Sequence, residues 1–328
     1  MMHSVLVTGG AGFVGSHACK ALHAAGFVPV AYDDLSGGHA HAVRWGPLER
    51  GDIRDAARLR EALGRHRPVA ALHFAARIEV GESVRDPAGF HDVNVAGTRC
   101  LLEALHQAGI TSCVLSSTAA VYGTPRTTPI AEDHPLQPIN PYGETKLAAE
   151  NLMADFAARL GLRFAALRYF NAAGADPDGE LGEEHEPETH LIPLVLQTAL
   201  GRRAQIAVYG RDYDTPDGTC IRDYVHVSDL AEAHVLALQH LLAGGPSLRL
   251  NLGTGRGWSV RQVIETARRV TGRAIPVVES GRRAGDPAML VADASQAMQV
   301  LGWQPQRAAL EIQIGDAWRW MTRAAMPA

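Results

Sequence analysis

Val5-Leu-Val-Thr-Gly-Gly-Ala-Gly-Phe-Val-Gly15 decides the fold. Val5 to Thr8 is a short β-branched run that reads as a buried strand, and a helical pattern runs from Gly12 to Ala25 before Gly26. Between them stand Gly9, Gly12 and Gly15. Glycines in that spacing permit a tight turn, close approach of the backbone to a pyrophosphate, and tight packing of helix on strand. The helix N-terminus adds free N–H groups and partial positive charge for the phosphates. A dinucleotide site at the end of a first strand is therefore expected.

Working outward, Val28 to Tyr32, Val69 to Phe74, Ser112 to Ser116 and Arg163 to Tyr169 read as further strands. Helical patterns cover Leu59 to Leu63, Val93 to Gln107 and 141 to 160. Apolar strands separated by helices predict a parallel sheet with helices on both faces, an α/β doubly wound (Rossmann) fold. After Asn171 the pattern changes: 172 to 190 and 210 to 220 read as polar loops, with helices at Ile192 to Leu200, 228 to 242 and 259 to 271 and a strand near 275 to 278. The expectation is a cofactor domain over 1–171, with a return segment at about 225–252, and a smaller α+β substrate domain over 172–328.

Composition narrows the function. The 328 residues are 46% hydrophobic and 20% charged, ordinary for a globular protein. A formal charge of −4 without a Lys/Arg-rich run speaks against a nucleic-acid partner. Cys19, Cys100, Cys113 and Cys220 are widely spaced, so reduced thiols are expected rather than a zinc or disulfide framework. The N-terminus lacks the features of a signal peptide, and no apolar run is long enough to span a bilayer. No membrane partner and a cytoplasmic location are the expectations.

Asp33 ends the second strand, where a carboxylate accepts from ribose hydroxyls and repels a 2′-phosphate, favouring NAD over NADP. Asp52, in Gly51-Asp-Ile-Arg54, is read as an adenine ligand or as a helix cap. Asn140-Pro-Tyr-Gly-Glu-Thr-Lys146 opens a helix, with Asn140 as cap and Pro141 in the first turn. Tyr142 and Lys146 are four apart and share a face. An ammonium beside a phenol lowers its pKa, which makes Tyr142 the expected general acid/base. Leu115-Ser-Ser-Thr118 ends the preceding strand, and Thr118 or Ser117 is placed to bond a substrate hydroxyl.

Together these motifs resemble the extended short-chain dehydrogenase/reductase family, over essentially the whole chain. Further segments carry the resemblance toward its UDP-sugar 4-epimerase branch: His73-Phe-Ala-Ala76, Val80-Gly-Glu-Ser83, Arg168-Tyr-Phe-Asn171, Asp217 to His226, and Gly285-Asp286. The resemblance implies reversible C4 epimerisation of UDP-glucose and UDP-galactose through a transient 4-keto sugar, with tightly bound NAD. It implies that Gly9, Gly12, Phe13, Val14, Gly15, Asp33, Asp34, Leu35, Ser36, Gly37, Gly38, Asp52 and Ile53 line the cofactor. Phe74, Ala75, Ala76, Ile78, Asn94, Ser116, Tyr142, Lys146 and Phe170 complete that site by the same resemblance. Thr118, Tyr142, Asn171, His190, Leu191, Ala207, Val208, Tyr209, Arg222, Arg283, Asp286 and Leu290 are implied for the UDP-sugar. Arg222 and Arg283 suit a diphosphate, since guanidinium groups bind phosphates bidentately. A homodimer through helices near 93–107 and 142–160 is likewise implied.

The chain departs from the family pattern at several positions. Ile78 replaces a common lysine, Val93 a polar residue, Cys220 a glycine and His190 an asparagine, and Leu290 holds a gate position beside the sugar. The alternatives are another UDP-sugar (xylose/arabinose or N-acetylglucosamine), a nucleotide-sugar dehydratase, and a non-catalytic NAD sensor. Ala119-Ala120 stand where a dehydratase carries Asp-Glu, and the Tyr–Lys pair argues for an enzyme. No metal is expected. His39 and His41 lie in a polar loop without a carboxylate pattern, and Glu183-Glu-His-Glu186 reads as a solvated loop. Trp303 and Trp318 read as packing residues.

Overall fold

A computed structural model describes residues 2–283 and 285–323. Its strands are β1 (Ser4–Thr8), β2 (Val28–Asp33), β3 (Leu48–Arg50), β4 (Ala70–His73), β5 (Ser112–Thr118), β6 (Arg163–Tyr169), β7 (Asn171–Ala173), β8 (Ile206–Tyr209), β9 (Ile221–His226), β10 (Leu248–Leu252), β11 (Gly257–Ser259), β12 (Val277–Ser280) and β13 (Met289–Leu290). The helices are α1 (Phe13–Ala24), α2 (Ala56–His66), α3 (Val80–Arg85), α4 (Pro87–His91), α5 (Gly97–Gln107), α6 (Pro141–Leu160), α7 (Leu191–Ala199), α8 (Val227–Leu242), α9 (Val260–Thr271), α10 (Ser295–Leu301) and α11 (Leu310–Arg323).

Seven parallel strands form the main sheet in the order β10-β6-β5-β4-β1-β2-β3. Successive side chains point to opposite faces of a strand, and β1 uses both. Val5 and Val7 pack with Ala18 and Leu22 of α1 and with Leu230, Leu238 and Leu241 of α8. Leu6 faces the other way, into Leu59 and Leu63 of α2, Leu101 and Leu105 of α5, and Leu152 and Met153 of α6. That two-sided burial is why the strands read as continuous apolar runs rather than alternating ones. Trp303 is fully buried on the α1/α8 side and donates its indole N–H to the Asp229 carbonyl at 2.9 Å.

The order reverses between β1 and β4, which places the ligand crevice of such a sheet at the carboxyl ends of these two strands. The smaller layer is irregular. β9 is flanked by β11 and β13 and also pairs with β7, β8 pairs with β12, and α7, α9 and α11 share one apolar cluster beneath them. Strands β7, β8, β9, β11 and β13 fall outside the elements read from sequence, because they run only two to six residues, too short for a strand period to show. β10 returns to the main sheet beside β6. Among the described residues no helix is long and apolar enough to cross a membrane.

Candidate active site

The glycine turn follows β1 directly. Gly9 has φ +72°, and a Cβ there would meet the Ala75 amide nitrogen at 2.6 Å. A Cβ on Gly15 would lie 2.0 Å from the Gly9 carbonyl oxygen. α1 begins after Gly12 with no side chain capping it and no acid in its first turn. The turn thus presents a helix N-terminus free to take an anion. Gly15→Ala should cost about 1–3 kcal/mol by overpacking and strip the dinucleotide. Thermal melting and the absorbance of co-purified nucleotide read both effects.

Asp33, at the end of β2, is buried and braces this turn. Its carboxylate accepts from the Ala11 N–H at 3.0 Å and the Leu35 N–H at 2.8 Å. Burial, resisted by these bonds, raises its pKa. Leu35 adopts φ +65°, and Asp34 accepts from the Ser36 N–H at 2.8 Å, so the segment ahead of Gly37 and Gly38 curls back over the turn. Asp52 is occupied by Arg54, which lowers its pKa, while Ile53 is buried against Gly97. Phe74 and Ala75 follow β4, both amides donating to the Thr8 carbonyl. Ile78 is a partly exposed apolar side chain in the segment after Ala76. Asn94 is buried and spans the Arg77 backbone and the Thr145 hydroxyl, bonding the latter at 3.0 Å.

α6 forms as its first residues dictate. Asn140 accepts from the Gly143 N–H at 2.8 Å, Pro141 occupies the first turn, and Gly161 ends the helix in the left-handed region. Lys146 is buried and donates to the Ser116 carbonyl at 2.7 Å. Burial lowers its pKa to about 8 against the opposing pull of Glu150. Burial raises the pKa of Tyr142, with Tyr169 adding to the rise and the neighbouring Thr118 hydroxyl working against it. The expected lowering of the phenol by Lys146 is therefore corrected. Desolvation dominates, and the ammonium is turned to the Ser116 carbonyl. Ser117 is also corrected: its hydroxyl donates to Glu150 at 2.6 Å, away from the crevice, which leaves Thr118 as the hydroxyl beside Tyr142. Ser116 bonds Tyr169 at 2.7 Å, and Phe170 packs with Leu290 against Ala119, Val121 and Tyr122.

A buried network unread in the sequence supports this face. Glu150, one turn beyond Lys146, holds Arg168 through two bonds of 2.9 and 2.6 Å, and both side chains are 1% exposed. Arg168 also donates to Tyr122, whose hydroxyl donates to Asn251 at 2.6 Å. The one available signal is that Tyr142, Lys146 and Glu150 recur every four residues.

On the other side of the crevice, Arg222 and Leu290 are register partners on β9 and β13, and Asn171 pairs with Tyr224. Arg222 is paired with Asp286, and the Arg283 guanidinium lies 3.9 Å from the Tyr209 ring centroid. Ala207 and Val208 precede Tyr209 on β8; His190 caps α7 and Leu191 begins it. The Glu183-Glu-His-Glu186 run, expected to be a solvated loop, is so only in part: Glu186 is exposed and Glu183 is not. The Glu183 side chain is 5% exposed and ion-pairs with His185 and His190. Against the effect of burial, those histidines hold its carboxyl below the usual range, and Glu183 and Glu188 raise His185 above the usual imidazole value. A carboxylate also stands at the histidine pair, His41 lying 2.9 Å from Glu184.

A doubly wound sheet with an open glycine turn, a strand-end acid and a Tyr–Lys pair on α6 defines a nicotinamide-dinucleotide enzyme. The chain belongs to the NAD dependent epimerase/dehydratase family, whose model matches residues 5–253. It is 54% identical to the UDP-glucose 4-epimerase of Rhizobium meliloti (strain 1021) over 321 residues, 98% of each chain. Among solved structures, the UDP-glucose 4-epimerase from Brucella ovis in complex with NAD is 53% identical with a TM-score of 0.95, covering 97% of this chain and 98% of that one. The UDP-glucose-4-epimerase from Stenotrophomonas maltophila, with bound NAD and formylated UDP-arabinopyranose, is 42% identical with a TM-score of 0.95, covering 99% and 100%.

Proposed function

We infer that this chain interconverts UDP-glucose and UDP-galactose by C4 epimerisation through a transient 4-keto sugar, with NAD bound throughout. The observation that carries the reading is the Tyr142–Thr118 pair, with Lys146 behind it, at the carboxyl end of β5. NAD, when bound, would supply reversible hydride transfer and a cationic ring. The open α1 N-terminus suits its pyrophosphate, Asp33 its adenosine ribose, and Lys146 its nicotinamide ribose; Asp34 to Gly38, Phe74 to Ala76 and Asn94 complete the lining.

Tyr142 takes the 4-hydroxyl proton as C4 is oxidised and returns it as C4 is reduced, while Thr118 holds the sugar oxygen. Arg222 and Arg283 anchor the diphosphate, so the 4-keto sugar turns over while its nucleotide stays fixed. Arg222 trades its pairing with Asp286 for phosphate, and Tyr209 offers a ring to uracil. Dehydration would need acid/base groups after Thr118. Ala119 and Ala120 stand there, in a turn whose Ala120 N–H donates to Thr118 at 3.2 Å. In this reading 1–171 with about 225–252 carries the cofactor and the remainder closes over the UDP-sugar. The protein works as a cytoplasmic homodimer paired through α5 and α6.

The Lys146 ammonium is present below about pH 8 and is lost above it. On that account kcat/KM declines on the alkaline side of about 8, whereas Lys146→Met gives a low, flat profile there. Incubation with UDP-glucose, UDP-N-acetylglucosamine or UDP-xylose, read by NMR, tests the substrate. UDP-galactose from UDP-glucose is expected. Conversion of only the pentose or N-acetyl sugar, or a 4-keto-6-deoxy product, would overturn the reading.

A further inference from the structure

Glu183, His185, Glu188 and His190 place four ligand atoms within 4.8 Å of one another. Glu183 and Glu188 side chains are each only 5% exposed. Two carboxylates drawn out of water need positive charge between them. Both histidines turn the same atom, Nδ1, inward. His185 Nδ1 lies 3.0 Å from Glu183 and 3.9 Å from Glu188, and His190 Nδ1 contacts Glu183 and lies 4.0 Å from Glu188. Ligands of a tetrahedral zinc, with bonds of about 2.0–2.2 Å, stand roughly 3.3 Å apart. The four atoms therefore need only small movements to surround one ion.

One of the carboxylates is also braced. Oε1 of Glu188, the oxygen 3.9 and 4.0 Å from the two histidine Nδ1 atoms, accepts from the Thr189 N–H at 2.7 Å and the His190 N–H at 2.8 Å, which fixes it at the edge of the cluster. Outer bonds of this kind orient metal-binding side chains. The His185 ring lies edge-on to Phe13, in the first turn of α1, at 6.3 Å.

We propose that Glu183, His185, Glu188 and His190 form a closed structural site for one divalent zinc ion. Two imidazoles and two carboxylates suit zinc, and four protein ligands leave no open position for chemistry. The ion would staple the 183–190 loop between the glycine turn, through Phe13, and the start of α7, through His190. Its loss should soften that junction rather than abolish turnover.

The test uses the full-length, NAD-loaded protein, stripped with EDTA and dialysed. Calorimetric titration with zinc chloride and elemental analysis should give about one zinc per chain, with a higher melting temperature. Cobalt in place of zinc should give the intense visible bands of a four-coordinate site. His185→Gln should weaken binding by at least the roughly 10–100-fold that loss of a supporting partner costs, with an unchanged circular dichroism spectrum. Glu188→Gln provides the same reading if that variant does not fold. Failure to take up zinc at micromolar concentrations would overturn the proposal. So would uptake indifferent to His185→Gln but lost in His41→Gln, which would move the ion to the neighbouring His39–His41–Glu184 group.

Discussion

Tyr142→Phe should lower kcat by about 10²–10⁴-fold, the usual worth of a positioned general acid/base, with KM and bound NAD little changed. Phenylalanine fills the same volume on α6, so Asn140, Pro141 and the packing of Lys146 remain as they are. What disappears is the hydroxyl beside Thr118 that can exchange a proton with the sugar. Burial raises the pKa of that hydroxyl, so its use as a base depends on positive charge near it. Lys146, protonated below about pH 8, is one source, and the oxidised cofactor is the other. Steady-state kinetics on the purified variant, with circular dichroism as the control on folding, decides the point. Near-normal turnover would remove Tyr142 from the chemistry.

Arg168→Met should destabilise the fold by about 3–5 kcal/mol, the cost of stranding a buried charge. Arg168 and Glu150 are each 1% exposed, so solvent has little access to either charge. Glu150 would keep its bond from Ser117 and the distant Arg249, 3.5 Å away and half exposed, as its remaining partners. The double variant Glu150→Leu/Arg168→Met removes both charges and should recover much of the loss, because a buried pair replaced by apolar residues is often neutral. Denaturant unfolding of the two variants measures the difference. Equal stability of Arg168→Met and the parent chain would show that the network carries no weight.

The strands of the main sheet were legible because both their faces are buried: Val5, Leu6 and Val7 are all apolar, and each such run is bounded by glycine or a helical pattern. The glycine turn and α6 were legible because caps and turns are local, set by Gly9, Asn140 and Pro141 within a few residues. The smaller layer was not. β9 reads Ile221-Arg-Asp-Tyr-Val-His226, a strand whose polar positions serve the site and its supports, so hydrophobic alternation is lost where function is densest. Glu150 looks like an outward-facing helical acid until Arg168, on a strand eighteen residues later, is brought against it. Glu183 and Glu188 look like loop charges for the same reason: their partners are set by the path of the loop, which nearest-neighbour patterns do not encode.

In the proposed reaction Tyr142 and bound NAD oxidise and re-reduce one carbon of a UDP-sugar. UDP-glucose deuterated at C4, incubated with the NAD-loaded protein and no added cofactor, reports on that step. UDP-galactose with the deuterium retained at C4, read by NMR, is expected. Loss of the label to solvent, or no galacto product at all, would contradict it.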